Sequence, residues 1–477
     1  MSDRGHDAIV VGAGPNGLAA AITLARAGRS VLVVEAADEI GGGTRSAELT
    51  LPGFVHDVCS AVHPLLMASP FFRDLPLVRH GVHVAHPAVP LAHPLDDGTA
   101  AVLDRDVRGT ASCLGADERA YLKLMGPLVR HADDLVQTIM RAPLPPRRPV
   151  VAAGFGRHAL RSAAALAMSK FKGDKARALH AGIAAHAMLP LDRIPTGAVG
   201  LMLGFLGHAY GWPVVRGGSQ RIAEAMGAEL AALGGDVKTG WRVERFAELP
   251  PADVVLFDLT PRQVLAIAGD RFPARYRRRL ERYRYGPGVF KIDWALDGPV
   301  PWTAEPCRGA GTVHLGGTLG EIAAAEDAVA RGVHPDRPYV LFAQPDVADM
   351  SRSPDGKSTA WAYCHVPSGS TVDMTTAIED QVERFAPGFR DRILGRATFT
   401  APQMEAHNAN YVGGDINGGV QDLRQLFTRP VARWPLYSTP DPKIWFCSSS
   451  TPPGGGVHGM CGFNAATAVL ARQRRRR

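Results

Sequence analysis

Residues 7–35 read DAIVVGAGPNGLAAAITLARAGRSVLVVE: an apolar run, a glycine-rich turn, an Ala/Leu-rich segment, and a second apolar run ending in a carboxylate. Gly12, Gly14 and Gly17 make G-x-G-x-x-G between a predicted strand over 8–11 and a predicted helix over 18–27. Gly12 allows a tight turn, Gly14 lets backbone approach a pyrophosphate, and Gly17 lets helix and strand pack closely. Pro15 and Asn16 complete the turn, and the helix behind them would offer free N–H groups to a diphosphate. Glu35, followed by Ala36, stands where an acid can accept hydrogen bonds from both ribose hydroxyls. Strand, turn, helix and acid in this order predict a dinucleotide site.

The chain has 477 residues, enough for two or three domains, with 46% hydrophobic residues and room for a sizeable core. Five of its last six residues are arginine; without them the formal charge of +7 falls to about +2. The body is therefore near neutral, which gives no reason to expect nucleic acid, and the tail reads as a solvated, disordered end. Cysteines at 59, 113, 307, 364, 447 and 461 form no C-x-x-C, against zinc, a disulfide framework or a dithiol centre, and no metal site is expected. No basic-then-apolar leader precedes the first strand, and the longest apolar stretch, 198–210, is short and broken by glycine. The expectation is a cytoplasmic protein.

Soon after Glu35 come Gly41, Gly42 and Gly43, then Thr44 and Arg45. Such a glycine group resembles the second signature of the glutathione-reductase-type FAD fold and shifts the expected cofactor from NAD to FAD. With the stretch LPGFVHDVCSAVHPL over 51–65, the region resembles the phytoene desaturase-like FAD flavoproteins, in the branch of retinol saturase and the pyridine nucleotide-disulfide oxidoreductase domain-containing protein 2 group. The resemblance implies that residues 57–63, with Val62, pass beside the isoalloxazine ring, making His56 and His63 flavin-proximal candidates. It further implies a Rossmann-like FAD domain carrying an inserted α+β substrate domain, with an antiparallel sheet and lid helices. The FAD domain is expected over 1–95, 205–272 and 405–477, the substrate domain over 96–204 and 273–404.

The order of elements follows that outline. A hairpin is expected around Asp97-Gly98, then helices from 112 to 209, interrupted by the proline-rich 143–149. A second G-x-G-x-x-A, at Gly154, Gly156 and Ala159, lacks a following strand with an acid and is rejected as a nucleotide site. NADPH then has no dedicated domain, which leaves oxygen or a quinone as electron acceptor. Gly217-Gly218, a helix, Gly234-Gly235 and a strand over 236–246 match the family's return to the FAD domain, where the position of Val243 contacts adenine. Period-two alternation over 277–400 predicts an antiparallel floor whose inward residues, Phe290, Trp294, Phe342, Trp361 and Tyr363, form an apolar wall. Asn408 and Tyr411 sit in a glycine-rich loop and are pocket candidates.

The closing KIWFCSSSTPPGGGVHGMCGFNAATAVL reads as strand, loop and helix and matches the family's C-terminal FAD motif at Gly454, Gly455, Gly456, Val457 and Gly459. A helix N-terminus there would favour the negative charge of a reduced flavin by about 0.3–1 kcal/mol. His458, His63 and Tyr411 are the catalytic candidates. The expected reaction is desaturation, or the reverse saturation, of a hydrophobic molecule by hydride transfer with flavin N5. Isoprenoid or carotenoid substrates, peripheral membrane contact and lid helices follow from the resemblance, while acyl or polyketide chains suit an apolar pocket equally. An amine oxidase and a non-catalytic FAD scaffold for lipid or a partner protein are the alternatives; the oligomeric state and direction of reaction stay open.

Overall fold

Five apolar runs, far apart in the chain, pair into one parallel sheet. In spatial order they are Ile444–Phe446, Ala252–Phe257, His6–Val11, Val31–Val34 and Asp236–Lys238. The computed structural model describes residues 5–141, 146, 148–426 and 428–475. A parallel sheet is covered on both faces, so its central strands are apolar at nearly every position. Val10, Val33, Leu256 and Trp445 enter one core with the opening helix Pro15–Arg26 and the closing helix Met460–Arg474. Ile9, Leu32, Val255 and Phe257 pack in another, with helices Pro261–Ala268 and Ala274–Glu281. This is the Rossmann-like α/β fold that the opening stretch predicts.

The strand expected over 236–246 has only three residues. Beyond it, Gly240 and Trp241 donate to the carbonyls of Ala37 and Glu35, each at 2.8 Å, which carries Val243 past the end of the sheet.

A second sheet has seven strands, in the order Ile393–Phe399, Gly288–Leu296, Ser358–Val366, Val340–Ala343, Ala310–Leu315, Val89–Pro94 and Ala100–Leu103. It is antiparallel except where Ala310–Leu315 meets Val89–Pro94. The expected boundary at 95/96 therefore needs correcting. It cuts the hairpin at Asp97-Gly98, both strands of which belong to this sheet. Alternation splits the sheet's faces: Phe290, Trp294 and Phe342 pack with Ile378, Val382 and Phe385 of helix Thr375–Phe385, whereas Leu341, Trp361 and Tyr363 pack with Ala181, Ala184 and Met188.

Short helices fill 107–210, among them Asp174–Ala185 and Thr196–Tyr210. Most of the proline-rich 143–149 lies outside the described residues. The rejected Gly154/Gly156 motif is inside helix Pro149–Ala159, so its glycines form no nucleotide turn. The closing helix continues through Arg474, correcting the disordered tail to that point; 476 and 477 lie outside the described residues. No helix among the described residues is long and apolar enough to cross a membrane.

The opening and closing helices meet backbone to backbone, and a Cβ at Gly462 would overlap the carbonyl oxygen of Asn16. Gly462→Ala is expected to cost about 1–3 kcal/mol or more through forced separation of the pair. Gly154→Ala, with nothing within 4 Å of its new carbon, should gain about 0.5–1 kcal/mol. Urea unfolding midpoints of the two variants check both signs.

Candidate active site

The parallel strands deliver Gly12, Glu35 and Asp258 to their carboxyl ends, where open α/β sheets bind ligands. There the chain encloses a cavity of about 490 Å³. One part of its wall is Gly12, Gly14, Pro15, Asn16, Glu35, Ala36, Gly42, Gly43, Arg45 and Val243, with Gly455, Gly456 and Val457 of the closing loop. The rest includes Val62, His63, Met188, Val199, Met202, Trp212, Leu341, Trp361, Tyr363 and Tyr411. Both ends of the chain thus line one space.

The first part of the wall fits FAD. The opening helix has Gly14 as its N-cap residue, with no cap from that residue's own side chain and no acid in its first turn, so among the described residues only Asp258 meets its free N–H groups. The buried Oδ1 of Asn16 has no partner. Glu35 accepts from Ala13 N–H at 2.7 Å and from Ala37 N–H at 2.9 Å. Those bonds fix the carboxylate and leave lone pairs for ribose hydroxyls. Asp258 accepts from Gly17 N–H at 2.8 Å, and burial, with Glu35 adding to it, raises its carboxyl well above the usual range. An acid held toward its neutral form does not repel a diphosphate.

Several expected site residues do not line the cavity. Gly17 packs against Gly12 and Asp258, and Gly459 against Phe71 and Ala19. Thr44 turns its hydroxyl to the Gly41 carbonyl at 2.9 Å. His458 is the main correction. Its Nδ1 accepts from Met460 N–H at 3.0 Å and its Nε2 meets the Gly454 carbonyl at 3.2 Å. The ring is buried at the mouth of the closing helix, with its pKa lowered to about 4 by burial. Its ring bonds within the glycine loop and does not line the cavity. Arg45 does line the cavity, but its guanidinium is committed to the carbonyls of Gly42 and His407 at 3.1 and 2.8 Å.

His63 lines the cavity, with Nε2 2.8 Å from the Ser219 hydroxyl and burial lowering it to about 4. His56 does not; it bonds Thr50 at 2.8 Å and sits 3.5 Å from Asp293. Tyr411 lines the wall, hydrogen-bonded to Cys59, and Asn408 lies there too. Of the five expected wall aromatics only Trp361 and Tyr363 reach the cavity, because strand alternation turns Phe290, Trp294 and Phe342 to the opposite core.

Sequence reading missed Asp258, although it ends an apolar strand as Glu35 does. It also missed Lys291 and Asp293, a buried ion pair at alternate positions of strand Gly288–Leu296. Lys291 lies 5.6 Å from the Trp361 ring and 5.8 Å from the Phe399 ring, and burial pushes Asp293 up to about 6 against the attraction of Lys291. Two charges two residues apart in an apolar strand share a face, and that was the available signal.

The family described as an NAD(P)-binding Rossmann-like domain matches residues 10–75. Pyridine nucleotide-disulfide oxidoreductase domain-containing protein 2 of Rattus norvegicus is 27% identical over 98% of this chain and 93% of its own. Hydroxyneurosporene desaturase of Cereibacter sphaeroides is 25% identical over 97% of both chains. A structure of putrescine oxidase superposes with a TM-score of 0.62 at 18% identity, over 98% of this chain and 99% of that one, a likeness of fold.

Two outcomes follow from the geometry. Glu35→Ala should lower FAD affinity at least tenfold, the scale of one lost charge-assisted hydrogen-bond pair, read by fluorescence titration of the stripped protein. The second concerns acid. Burial lowers His63, His93, His180, His208 and His458 to about 4. Because these folded-state values lie below the unfolded one, the stability they contribute is present above about pH 6.5 and lost as pH falls through 4. Urea midpoints should decline from pH 6.5 to 4, and a flat profile would remove the neutral-histidine assignment.

Proposed function

We propose that this desaturase-like FAD-dependent oxidoreductase introduces a carbon–carbon double bond into an elongated apolar molecule, or saturates one in reverse. The supporting observation is the wall of the cavity. Its acids are Glu35 and Asp258, each bound to a backbone N–H, while the part built from Met188, Val199, Met202, Leu341, Trp361 and Tyr363 carries no carboxylate. A buried ammonium would find no anion there, and an unpaired buried charge is costly. A hydrocarbon loses nothing on entering.

Bound FAD supplies the two-electron acceptor for a hydride. The chain's own residues bind, orient and dry the substrate. Trp361 and Tyr363 stack at 5.8 Å with 16° between planes, giving a flat strip against which an extended molecule can lie. Met188 and Met202 adapt to its shape. Helices Asp174–Ala185 and Thr196–Tyr210 act as a lid that excludes water. Exposed Val150, Leu160 and Met168, with Arg157 and Arg161 in the same stretch, suit contact with a membrane surface when a water-insoluble substrate is loaded. Oxygen or a quinone then serves as the final electron acceptor.

Anaerobic mixing of the FAD-loaded protein with hydroxyneurosporene should bleach the flavin absorbance and yield a product lighter by two hydrogen atoms. Putrescine should leave the spectrum unchanged. Bleaching by putrescine alone would replace this reading with amine oxidation, and bleaching by neither would favour a binding scaffold.

A further inference from the structure

The mechanism above uses no group to take the proton that desaturation releases, and the structure holds an unassigned set of imidazoles against the cavity. His186 follows helix Asp174–Ala185 directly and lines the cavity. Its Nε2 lies 3.0 Å from Nε2 of His314. The parallel register that sets Val313 against Ala92 brings His314 beside His93. His93 in turn directs Nε2 to the Gly317 carbonyl at 2.7 Å.

That last bond fixes the proton of His93. A carbonyl only accepts, so His93 carries its hydrogen on Nε2 and has a lone pair at Nδ1. The buried Nδ1 atoms of His93 and His314 have no partner, and each lies 2.9 Å from the place a Cβ on Gly182 would occupy. Both rings therefore crowd over one bare Cα without a hydrogen bond between them. Because the Nε2 atoms of His186 and His314 approach to 3.0 Å, one ring donates to the other. When His186 is the donor, its Nδ1 carries the lone pair.

We propose that His186 is the catalytic residue that receives the substrate proton at Nδ1, with His314 as the positioning residue whose Nε2 accepts from Nε2–H of His186 and so holds its tautomer. The assignment rests on the desaturase reading. In the step, one substrate carbon gives up a hydride with its electron pair to the bound flavin. The C–H bond of the neighbouring carbon breaks, its proton goes to His186, and its electron pair becomes the new π bond. Saturation runs the same transfer backwards.

Aromatic rings and further titratable groups surround the pair. The Trp212 ring is 5.8 Å from His186 and 6.0 Å from His314, within cation–π range. Tyr339 separates His314 from His365, with ring centroids 5.6 and 5.8 Å away, and His365 is paired with the buried Glu326 carboxylate at 2.8 Å. Tyr363, on the cavity wall, completes the titratable groups on that side. Burial, with His365 adding to it, lowers His186 to about 3, and burial holds His314 well below its ordinary value, so both rings begin neutral.

The test uses the FAD-loaded protein with hydroxyneurosporene as probe. His186→Gln should slow anaerobic flavin bleaching by about 10²–10⁴-fold, the usual worth of general acid–base catalysis, with FAD content unchanged. His314→Gln should slow it less. Nitrogen-15 NMR of histidine-labelled protein, independent of turnover, should show His186 as the Nε2–H tautomer and a shift of its resonances in His314→Gln. Wild-type bleaching in His186→Gln, or an Nδ1–H tautomer at His186, overturns the assignment. Bleaching in neither wild type nor variant overturns the desaturase reading instead, and the proton acceptor falls with it.

Discussion

The structure depends on one close approach of main chain to main chain. The opening and closing helices lie against each other with glycine at the contact, and at Gly462 there is no room for even a methyl group beside Asn16. Below them, Gly17 reaches Asp258 through a 2.8 Å hydrogen bond. These contacts leave the opening turn and the closing loop facing the same space. Wider helix separation would pull the glycines of the two chain ends apart and open the cavity to water, where polar contacts with the cofactor lose most of their strength.

The second sheet is attached to that framework by buried charge. Arg352 donates to Asp57 at 3.1 Å and to Asp349 at 2.9 Å, and Asp349 also accepts from Gly217 N–H at 2.8 Å. Asp57 accepts from Ser219 N–H at 2.7 Å and from the Ser46 hydroxyl at 2.7 Å. Such groups would be costly if left unpaired, so the network specifies one relative placement of the segment beside the cavity and the loop before strand Ser358–Val366. Alternation along the strands does the rest, sending one set of side chains to the covered core and the other to the cavity.

The parts of this design readable in the sequence are those with local rules. The glycine turn, the acid at 35 and the closing loop each announce themselves within a few residues, because their spacing is set by backbone geometry. The sheet faces were harder. Phe290 and Trp361 look alike as strand aromatics, and only the register between strands decides which one meets the cavity. His458 misled for a related reason: its place beside the glycines is local, but the direction of its ring is fixed by bonds to Gly454 and Met460. His93, His186 and His314 are more than ninety residues from at least one of their fellows, so no spacing rule could join them.

The parallel sheet also has a temporal consequence. Its strands come from 6–11, 31–34, 236–238, 252–257 and 444–446, and the last wall of the cavity is made by residues 455–457. A chain emerging from the ribosome begins its nucleotide fold with residues 6–11 yet cannot complete it until residues 444–446 and 455–457 have followed. At roughly 5–20 residues per second, that is tens of seconds during which the first strands wait with an unpaired edge. Flavin capture is therefore a late event in biogenesis, and a ribosome that stalls before the closing helix releases a product with half a cradle.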